Sequence, residues 1–278
     1  MKVTALIENK AGEGLIGEHG LALHIEYSEK RYLLDTGASE LFMKNADKMG
    51  INLADIDAAF LSHSHYDHSG GFGGFFARNS RARVYLQNAS KEACYVKMGP
   101  IRHYIGIPKG LLDKYCDRFV YVEGDQQIDE GIWVISHKTP GLAAIGKKAH
   151  MYRKTQKGFS ADDFGHEQSL VFEAGNGLVV LNSCSHGGVD NIVEEVRKAF
   201  GGKEVLAVFG GFHLMGLKGT SSMSGKPDDI KGLAKRLISL NVKHVYTGHC
   251  TGDPAFEILR EEFGERFNYF HTGATKEL

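Results

Sequence analysis

The sequence lacks several features that would assign it to other classes of protein. The chain has no large excess of positive or negative charge, since it has 33 Lys and Arg and 34 Asp and Glu and its formal net charge is −1. Proteins that bind nucleic acids or anionic membranes normally carry a large basic excess, so we expect neither partner. The longest apolar stretch, 205–214, is too short to span a bilayer and contains a histidine. What is left is an ordinary globular chain of 278 residues.

Secretion signals and cysteine pairs are also scarce. Five fairly apolar residues separate positions 2 and 8, which is too few for the core of a signal peptide, and we therefore expect a cytoplasmic protein. None of the four cysteines forms a C-x-x-C pair, and without a secretion signal disulfide bonds are the less favoured use of them. Two of them, Cys184 and Cys250, have a histidine within two residues and are candidates for a functional role.

Glycine and histidine stand out among the residues that are present. Glycine supplies 35 of the 278 residues, about 13% against a usual share of about 7%, which predicts many tight turns. Histidine supplies 14 residues, and it is both the commonest metal ligand and the usual proton-transfer group near neutral pH. The positions of the histidines therefore decide which chemistry is expected.

The apolar pattern predicts strands at the start of the chain and alternating strands and helices later. The runs 3–8, 21–27 and 31–34 predict an antiparallel meander. Helices are predicted where apolar residues recur on one face, at 39–49 with Ser39 as the N-cap, 189–200, 228–240 and 253–263. Further strands are predicted at 58–62, 83–87, 119–122, 133–136, 169–172, 178–182, 205–209 and 244–247. This order favours the α/β class, with mixed sheets covered by helices on their outer faces.

Two segments, 97–116 and 140–164, fit neither pattern. Both are rich in Gly, Lys, Tyr and His and are longer than typical connections, so two interpretations stay open: a substrate-covering insertion or a surface elaboration without function. In the first interpretation, the basic residues that could meet an anionic substrate are His103, Lys109, His150, Arg153 and Lys154.

The most informative stretch is L-S-H-S-H-Y-D-H-S-G-G at 61–71, directly after a predicted strand. Residues two apart in an extended chain point the same way, so His63 and His65 are aimed at one point and could bind one metal ion. The chain then turns, so that Asp67 and His68 can face a second ion beside the first. Three imidazoles and a carboxylate suit Zn²⁺ and also borderline metals such as Fe or Mn.

This stretch resembles the metallo-β-lactamase superfamily. The residues from His63 to His68 match its H-x-H-x-D-H signature, and the D-T-G at 35–37 resembles the turn that precedes the signature. One branch of the superfamily, named for archaeal 7,8-dihydropterin-6-yl-methyl-4-(β-D-ribofuranosyl)aminobenzene 5′-phosphate synthases, is similar at four further places. These are E-H-G at 18–20, N-S-C-S-H-G-G at 182–188, G-G-F-H-L at 210–214 and H-C-T-G at 249–252.

The resemblance implies one domain over residues 1–278, folded as an αββα sandwich of two mixed sheets flanked by helices, with insertions near 97–116 and 140–164. It also implies a dinuclear site at one edge of the two sheets. In the superfamily, one ion takes the first two motif histidines and a third histidine, and the other takes the motif Asp, the last motif histidine and a final histidine. Mapped onto this chain, the second ion uses Asp67, His68 and His249. The implied cofactors are two divalent ions, with Zn favoured and Fe or Mn as alternatives.

Two positions of the implied site are left open. Most hydrolases of the superfamily carry a bridging Asp where this chain has Cys184, whose thiolate is a soft ligand that zinc prefers. Either His186 or His166 completes the first ion. We favour His186, because its neighbours match the branch and a strand-end turn holds a ligand more rigidly than a long insertion does.

Three further residues have candidate roles around the metals. His213 follows a strand that should end at the same edge. It is predicted to contact substrate or to donate a proton, or else only to support the site or cap a helix. Asp35 is expected to hold a metal histidine by a hydrogen bond. His19 lies on a Gly-rich loop, and the corresponding loop of the superfamily often overhangs the metals.

These features favour a hydrolase in which a metal-activated hydroxide, oriented by Asp67, attacks a small anionic substrate. The first alternative is a synthase-like transferase that joins a phosphoribosyl donor to an aromatic acid, as the branch name implies. The second is a non-catalytic sensor that binds iron or oxygen. The partner candidates are a small-molecule substrate and further copies of the same chain.

Overall fold

The computed structural model describes residues 1–216 and 219–278, which form two compact units. Unit 1 comprises Met1–Asp125, Pro140–Gln168 and His271–Leu278, and unit 2 comprises Gln126–Thr139 and Ser169–Phe270. The assignment of residues 1–278 to a single domain stays a prediction.

Strands and helices alternate along the described residues. The strands are β1 (Lys2–Ile7), β2 (Ala22–Tyr27), β3 (Lys30–Leu34), β4 (Ala58–Phe60), β5 (Arg83–Gln87), β6 (Ala93–Met98), β7 (Ile101–Tyr104), β8 (Phe119–Val122), β9 (Gln126–Asp129), β10 (Ile132–Ser136), β11 (Met151–Thr155), β12 (Gly158–Ala161), β13 (Gln168–Ala174), β14 (Gly177–Leu181), β15 (Val205–Phe209), β16 (Met215–Gly216), β17 (Gly219–Met223), β18 (His244–Thr247), β19 (Phe267–Tyr269) and β20 (Thr275–Glu277). The α-helices are α1 (Leu41–Lys48), α2 (Tyr66–Ser69), α3 (Phe72–Arg78), α4 (Leu111–Lys114), α5 (Leu142–Lys148), α6 (Val189–Ala199), α7 (Pro227–Ser239) and α8 (Asp253–Phe263). Turns of 3₁₀-helix lie at Leu53–Asp55, Asn88–Lys91, His249–Thr251 and Gly264–Arg266.

Unit 1 contains a seven-stranded mixed sheet in the order β20-β1-β2-β3-β4-β5-β8. The first three strands pair antiparallel, which confirms the predicted meander, and β3, β4, β5 and β8 pair in parallel. The apolar faces of α1 and α3 pack against strand residues in one core, in which Phe42, Phe72 and Phe75 are fully buried. Helix α1 begins at Leu41 rather than at the predicted Ser39, although the Ser39 hydroxyl accepts a hydrogen bond from the Leu41 N–H at 3.2 Å.

Unit 2 contains a second seven-stranded mixed sheet, in the order β19-β18-β15-β14-β13-β10-β9. Strands β14, β15, β18 and β19 pair in parallel. Helix α6 buries Val189, Ile192, Val193 and Val196, a spacing that puts all four on one face of the helix. Each such side chain stabilises the unit by about 1.5–3 kcal/mol when it is fully buried. Mixed sheets with packed helices in both units confirm the predicted α/β class.

The two segments that fitted neither sequence pattern contribute strands to one small sheet of unit 1. Strands β12, β11, β6 and β7 pair in that order, and all their pairings are antiparallel. The central pair joins β6 to β11, with Val96 opposite Met151. Sequence patterns report only neighbouring residues, so they could not show that residues 93–96, directly before the first segment, pair with residues 151–154 of the second. Among the described helices, none combines the length and the apolar character that a bilayer span requires.

Candidate metal centre

In unit 1, the ends of two parallel strands bring the H-x-H-x-D-H motif next to Asp35. Strands β3 and β4 pair with Leu34 beside Phe60, and the Asp35 N–H donates to the Phe60 carbonyl at 2.9 Å. Because the two strands run in the same direction, the residues that follow them leave the sheet at the same edge. Asp35 has a φ of 60°, in the left-handed region that Asp adopts more readily than most residues. The turn thereby directs its side chain into the motif.

The buried carboxylate of Asp35 connects Ser62 with His68. Its Oδ1 accepts the Ser62 N–H at 2.7 Å, and its Oδ2 lies 2.7 Å from the Ser62 hydroxyl and 2.8 Å from His68 Nδ1. An ionised carboxylate only accepts, so the Ser62 hydroxyl and His68 Nδ1 both donate to it. The Ser62 oxygen, 2.8 Å from His63 Nδ1, has given its single hydrogen to Asp35 and therefore accepts from His63. In the neutral forms of His63 and His68, the lone pair is consequently on Nε2.

This arrangement has the chemistry of a metal site. Histidines that bind metals usually donate their other ring N–H to a carboxylate, a carbonyl or a water, which fixes the tautomer and the orientation of the ring. His68 meets that requirement through Asp35, and His63 meets it through Ser62. The donor set of buried imidazoles and a carboxylate therefore fits a divalent ion.

Asp67 lies between two histidines of unit 1. Its Oδ2 is 3.5 Å from His68 Nε2 and 3.3 Å from Nε2 of the half-exposed His19. Two ligands of one tetrahedral zinc ion are about 3.4 Å apart, given bonds of about 2.1 Å, so these atoms have the spacing of ligands. Burial lowers the pKa of His68, but the charges of Asp67 and Asp35 outweigh burial and raise this pKa to about 10. The pocket thus favours positive charge, which a divalent cation supplies as well as a proton does.

His166 belongs to a second buried group of unit 1. Potential ligand atoms of His65, Cys94, Asp162 and His166 all lie within 4.8 Å of one another. However, both ring nitrogens of His166 are engaged: Nδ1 accepts the Ser64 N–H at 3.2 Å, and Nε2 donates to Asp162 Oδ2 at 3.1 Å. In this arrangement His166 uses its lone pair to hold the backbone of the motif.

His65 is held in place by the first insertion. The Tyr66 N–H donates to the Ile105 carbonyl at 2.9 Å, and His65 forms an isolated β-bridge with Gly106. Burial lowers the pKa of His65 to about 3, so its ring is neutral at physiological pH. A neutral imidazole is the form that binds a metal. The segment 97–116 therefore supports the motif directly and is more than a surface elaboration.

In unit 2, three parallel strands end at one edge and deliver five potential ligands. Strands β14, β15 and β18 are neighbours, with Leu181 beside Phe209 and Phe209 beside Tyr246. The ring centroids of His186, after β14, and His213, after β15, lie 4.2 Å apart. The ligand atoms of Cys184, after β14, and of His249 and Cys250, after β18, lie within 4.8 Å of one another. The five residues at this edge are Cys184, His186, His213, His249 and Cys250.

The turns at this edge are strained. Ser185, His213 and His249 have φ values of 55°, 50° and 48°, in a region that costs a residue with a side chain on the order of 1 kcal/mol or more. Gly210 has a φ of 129°, and a Cβ there would lie 1.6 Å from the Asn182 carbonyl oxygen. Such strain persists where the surrounding structure holds it, and it is commonest at functional sites.

A polar network lies beneath the first of these turns. Asn182 Oδ1 accepts the Ser185 N–H at 2.7 Å, and Asn182 Nδ2 lies 3.1 Å from His137 Nε2. His137 Nδ1 is in turn 3.1 Å from Glu195 Oε2 on α6. Helix α6 thereby fixes the turn that carries Cys184.

The structure brings the predicted residues together within each unit. His63, His65, Asp67, His68 and His166 lie in unit 1, and Cys184, His186, His213 and His249 lie in unit 2. Sequence reasoning missed three supporting residues, which are Ser62, Asp162 and Asn182. The position of Ser62 directly before the motif and of Asp162 four residues before His166 are signals that could have found the first two.

Arg153, one of the basic residues that could meet an anionic substrate, is paired with acidic residues. Its guanidinium forms ion pairs with Glu92 at 2.6 Å, Asp162 at 3.3 Å and Asp163 at 2.5 Å. These three carboxylates already satisfy its charge, so Arg153 joins the insertion strands to the loop before His166.

The fold and the histidine-rich site of this protein have counterparts among known proteins. Residues 17–150 match the family model of the metallo-β-lactamase superfamily. The match confirms the resemblance that the motif indicates. It also favours an enzyme over the non-catalytic sensor.

Two curated proteins of Methanocaldococcus jannaschii are similar to the whole chain. One is a 7,8-dihydropterin-6-methyl-4-(β-D-ribofuranosyl)-aminobenzene-5′-phosphate synthase, which is 28% identical over 290 residues that cover 98% of this chain and 95% of the synthase. The other is an uncharacterised protein that is 28% identical over 274 residues, which cover 98% of both chains.

Solved structures share the fold. A metal-dependent hydrolase of the β-lactamase superfamily superposes with a TM-score of 0.84 at 28% identity, covering 100% of this chain and 99% of its own. Zn²⁺-bound PqqB from Methylobacterium extorquens superposes with a TM-score of 0.58 at 14% identity, covering 100% of both chains. These superpositions confirm the metallo-β-lactamase-like fold class.

Proposed function

We propose that this protein is a cytoplasmic hydrolase that uses two divalent metal ions to act on a small, anionic substrate. The observation that best supports this proposal is the set of hydrogen bonds through Asp35 and Ser62, which leaves the lone pairs of His63 and His68 on Nε2. Fixed, buried imidazoles of this kind support a metal site more strongly than the sequence motif does. Similarity to a metal-dependent hydrolase at 28% identity supports the same activity.

The ligand assignment follows the superfamily pattern. One ion would be held by His63, His65 and His186 and the other by Asp67, His68 and His249, with Cys184 as a further ligand. His166 stays outside the ligand set, because both its ring nitrogens are engaged by Ser64 and Asp162. Zinc is the preferred ion, since imidazole and thiolate are its usual ligands, and iron or manganese is the alternative.

The residues of this chain position and protonate the reactants. When bound, the ions supply Lewis acids that generate a nucleophile from water near neutral pH and polarise the scissile carbonyl or phosphoryl group. Asp67 orients the attacking water through its carboxylate. His213, which is partly exposed and whose ring centroid lies 4.2 Å from that of His186, donates a proton to the leaving group.

This function can be tested by measuring the metal content and the turnover of the same samples. The full chain, purified without added metal, is assayed against an ester, a lactone, a thioester and a phosphodiester, alongside His63→Ala, His65→Ala and the exposed control His271→Ala. We expect both motif variants to lose metal and turnover, and His271→Ala to keep them. Full activity in a metal-free variant would overturn the hydrolase proposal.

A synthase is the second candidate, because the match to the M. jannaschii synthase extends over 98% of this chain. That activity joins a phosphoribosyl donor to an aromatic acid and needs a pocket for both. Release of pyrophosphate and CO₂ from such a donor and acid would favour the synthase. Hydrolysis of simple esters with no such release would favour the hydrolase.

A further inference from the structure

Cys250 has no role in the ligand assignment above, yet its sulfur lies among the proposed ligands of unit 2. Its Sγ is 3.4 Å from Cys184 Sγ, and the ligand atoms of Cys184, His249 and Cys250 all lie within 4.8 Å of one another. All three residues are at least 96% buried. Two thiols and an imidazole therefore share one buried site at the ends of β14 and β18.

The turn after β18 is shaped to bring neighbouring side chains to the same place. In an extended strand, His249 and Cys250 would point to opposite faces. Here they lie in the 3₁₀ turn His249–Thr251, and His249 has a φ of 48°. This local conformation gathers both side chains near Cys184, and its strain is of the kind that is retained where function requires it.

The surroundings of Cys250 also suit a thiolate. The His213 N–H donates to Cys250 Sγ at 3.3 Å, and a hydrogen bond to a charged acceptor is stronger than one to a neutral acceptor. A Cβ at Gly211 would lie 2.5 Å from the sulfur, so the glycine leaves the space in which the sulfur sits. Position 211 thus accommodates Cys250 Sγ at the metal edge.

The sulfur spacing is that of two ligands of one ion. Two sulfurs on a tetrahedral zinc ion are about 3.8 Å apart, given Zn–S bonds of about 2.3 Å. The observed 3.4 Å is close to this value and far from the length of about 2.05 Å of a disulfide bond.

We propose that Cys250 is a metal ligand and that Cys184, His249 and Cys250 form a thiolate-rich site for a soft divalent cation. This inference rests on the proposed function, because it takes Cys184 and His249 to be metal ligands. Two thiolates and an imidazole select Zn²⁺ over the harder Mn²⁺. The metal of this enzyme is then zinc, held more tightly than a carboxylate-bridged site would hold it.

X-ray absorption at the zinc edge tests the inference without relying on activity. The full chain is loaded with Zn²⁺ as the wild type, Cys184→Ser, the double variant Cys184→Ser/Cys250→Ser and the control Cys116→Ser, whose cysteine is exposed. We expect sulfur at about 2.3 Å from zinc in the wild type, in the control and in Cys184→Ser, and its loss only in the double variant. The sulfur that persists in Cys184→Ser is that of Cys250.

The outcomes separate this inference from the hydrolase proposal. Zinc in Cys184→Ser with no sulfur neighbour overturns the role of Cys250, while zinc-dependent turnover of the wild type would leave the hydrolase standing. A wild type that binds no zinc overturns both. If Cys184→Ser fails to fold, cobalt-loaded wild type and Cys250→Ser are compared instead. The thiolate-to-cobalt absorption should then fall by roughly half in the variant, and an unchanged band overturns the inference.

Discussion

Replacing Asp35 with Asn should weaken metal binding without disturbing the backbone. Asn has the size of Asp and, like Asp, tolerates the left-handed φ of 60° at this position. The change therefore isolates the negative charge and the pattern of hydrogen-bond acceptors. Asp35 is fully buried, so solvent cannot replace what the substitution removes.

The size of the effect follows from the three donors that face the carboxylate. Oδ2 meets the Ser62 hydroxyl and His68 Nδ1, and Oδ1 meets the Ser62 N–H. If the Asn NH₂ replaces Oδ2, His68 must accept at Nδ1 and carry its hydrogen on Nε2, the nitrogen that faces Asp67. Loss of such a partner usually weakens metal affinity by about 10–100-fold, or about 1.4–2.8 kcal/mol. If the NH₂ replaces Oδ1, it opposes a buried N–H, which costs about 1–3 kcal/mol of folding free energy.

Competition for Zn²⁺ with a chromophoric chelator measures the first effect, and urea unfolding measures the second. The matched control is Asp47→Asn, whose carboxylate pairs with Arg78 at the exposed surface at 2.5 Å. We expect the control to bind Zn²⁺ within about twofold of the wild type, because surface ion pairs contribute little. An Asp35→Asn variant with both wild-type affinity for Zn²⁺ and wild-type stability would refute the role of Asp35 in fixing the tautomer of His68.

Three further outcomes are expected. Gly210→Ala should lower the free energy of unfolding by about 3 kcal/mol or more, because its Cβ meets a carbonyl oxygen at 1.6 Å, whereas Gly232→Ala, with open space around it, should change it by no more than about 1 kcal/mol. Equal thermal melts for the two variants would contradict this. Burial lowers the pKa of His24 to about 4. In the unfolded chain this imidazole is protonated near pH 6.5, whereas in the folded chain it is protonated only near pH 4. Relative to His24→Leu, the wild type should therefore lose about 2 kcal/mol of stability between pH 7 and pH 5, and identical pH slopes in urea unfolding would exclude this account. Chelation of the metal should abolish turnover and Zn²⁺ should restore it, whereas turnover that survives complete chelation would argue against metal-dependent hydrolysis.

The sequence predicts best those elements whose signals are local. The strands 83–87, 119–122, 205–209 and 244–247 and the helix 253–263 are predicted with the bounds that the structure has. The strands are short runs rich in apolar residues, and the helix buries Ala255, Phe256, Leu259 and Phe263 at helical spacing. The four strands of the small sheet were missed, because the two inner strands, β6 and β11, pair with each other across 55 residues of sequence and no local pattern reports that pairing.

The candidate site shows the same division. His63, His65, Asp67 and His68 are close in sequence, so their convergence could be predicted from the period of a strand and the turn that follows. The contacts that orient them come from other parts of the chain. His166 joins Asp162 to the Ser64 N–H, which is 102 residues away from His166 in sequence, and no local pattern reports such a contact.

The small sheet also constrains how this protein can change in evolution. Strand β6 precedes and strand β11 follows the segment Gln126–Thr139 of unit 2, and the two strands pair with each other. Deleting or exchanging either insertion alone would leave a strand with open donors and acceptors, which is a template for aggregation. The first insertion also supports His65 through Ile105 and Gly106. The two insertions can therefore be exchanged between relatives only as a pair. Such an exchange would also change the backbone contacts that hold His65 in place.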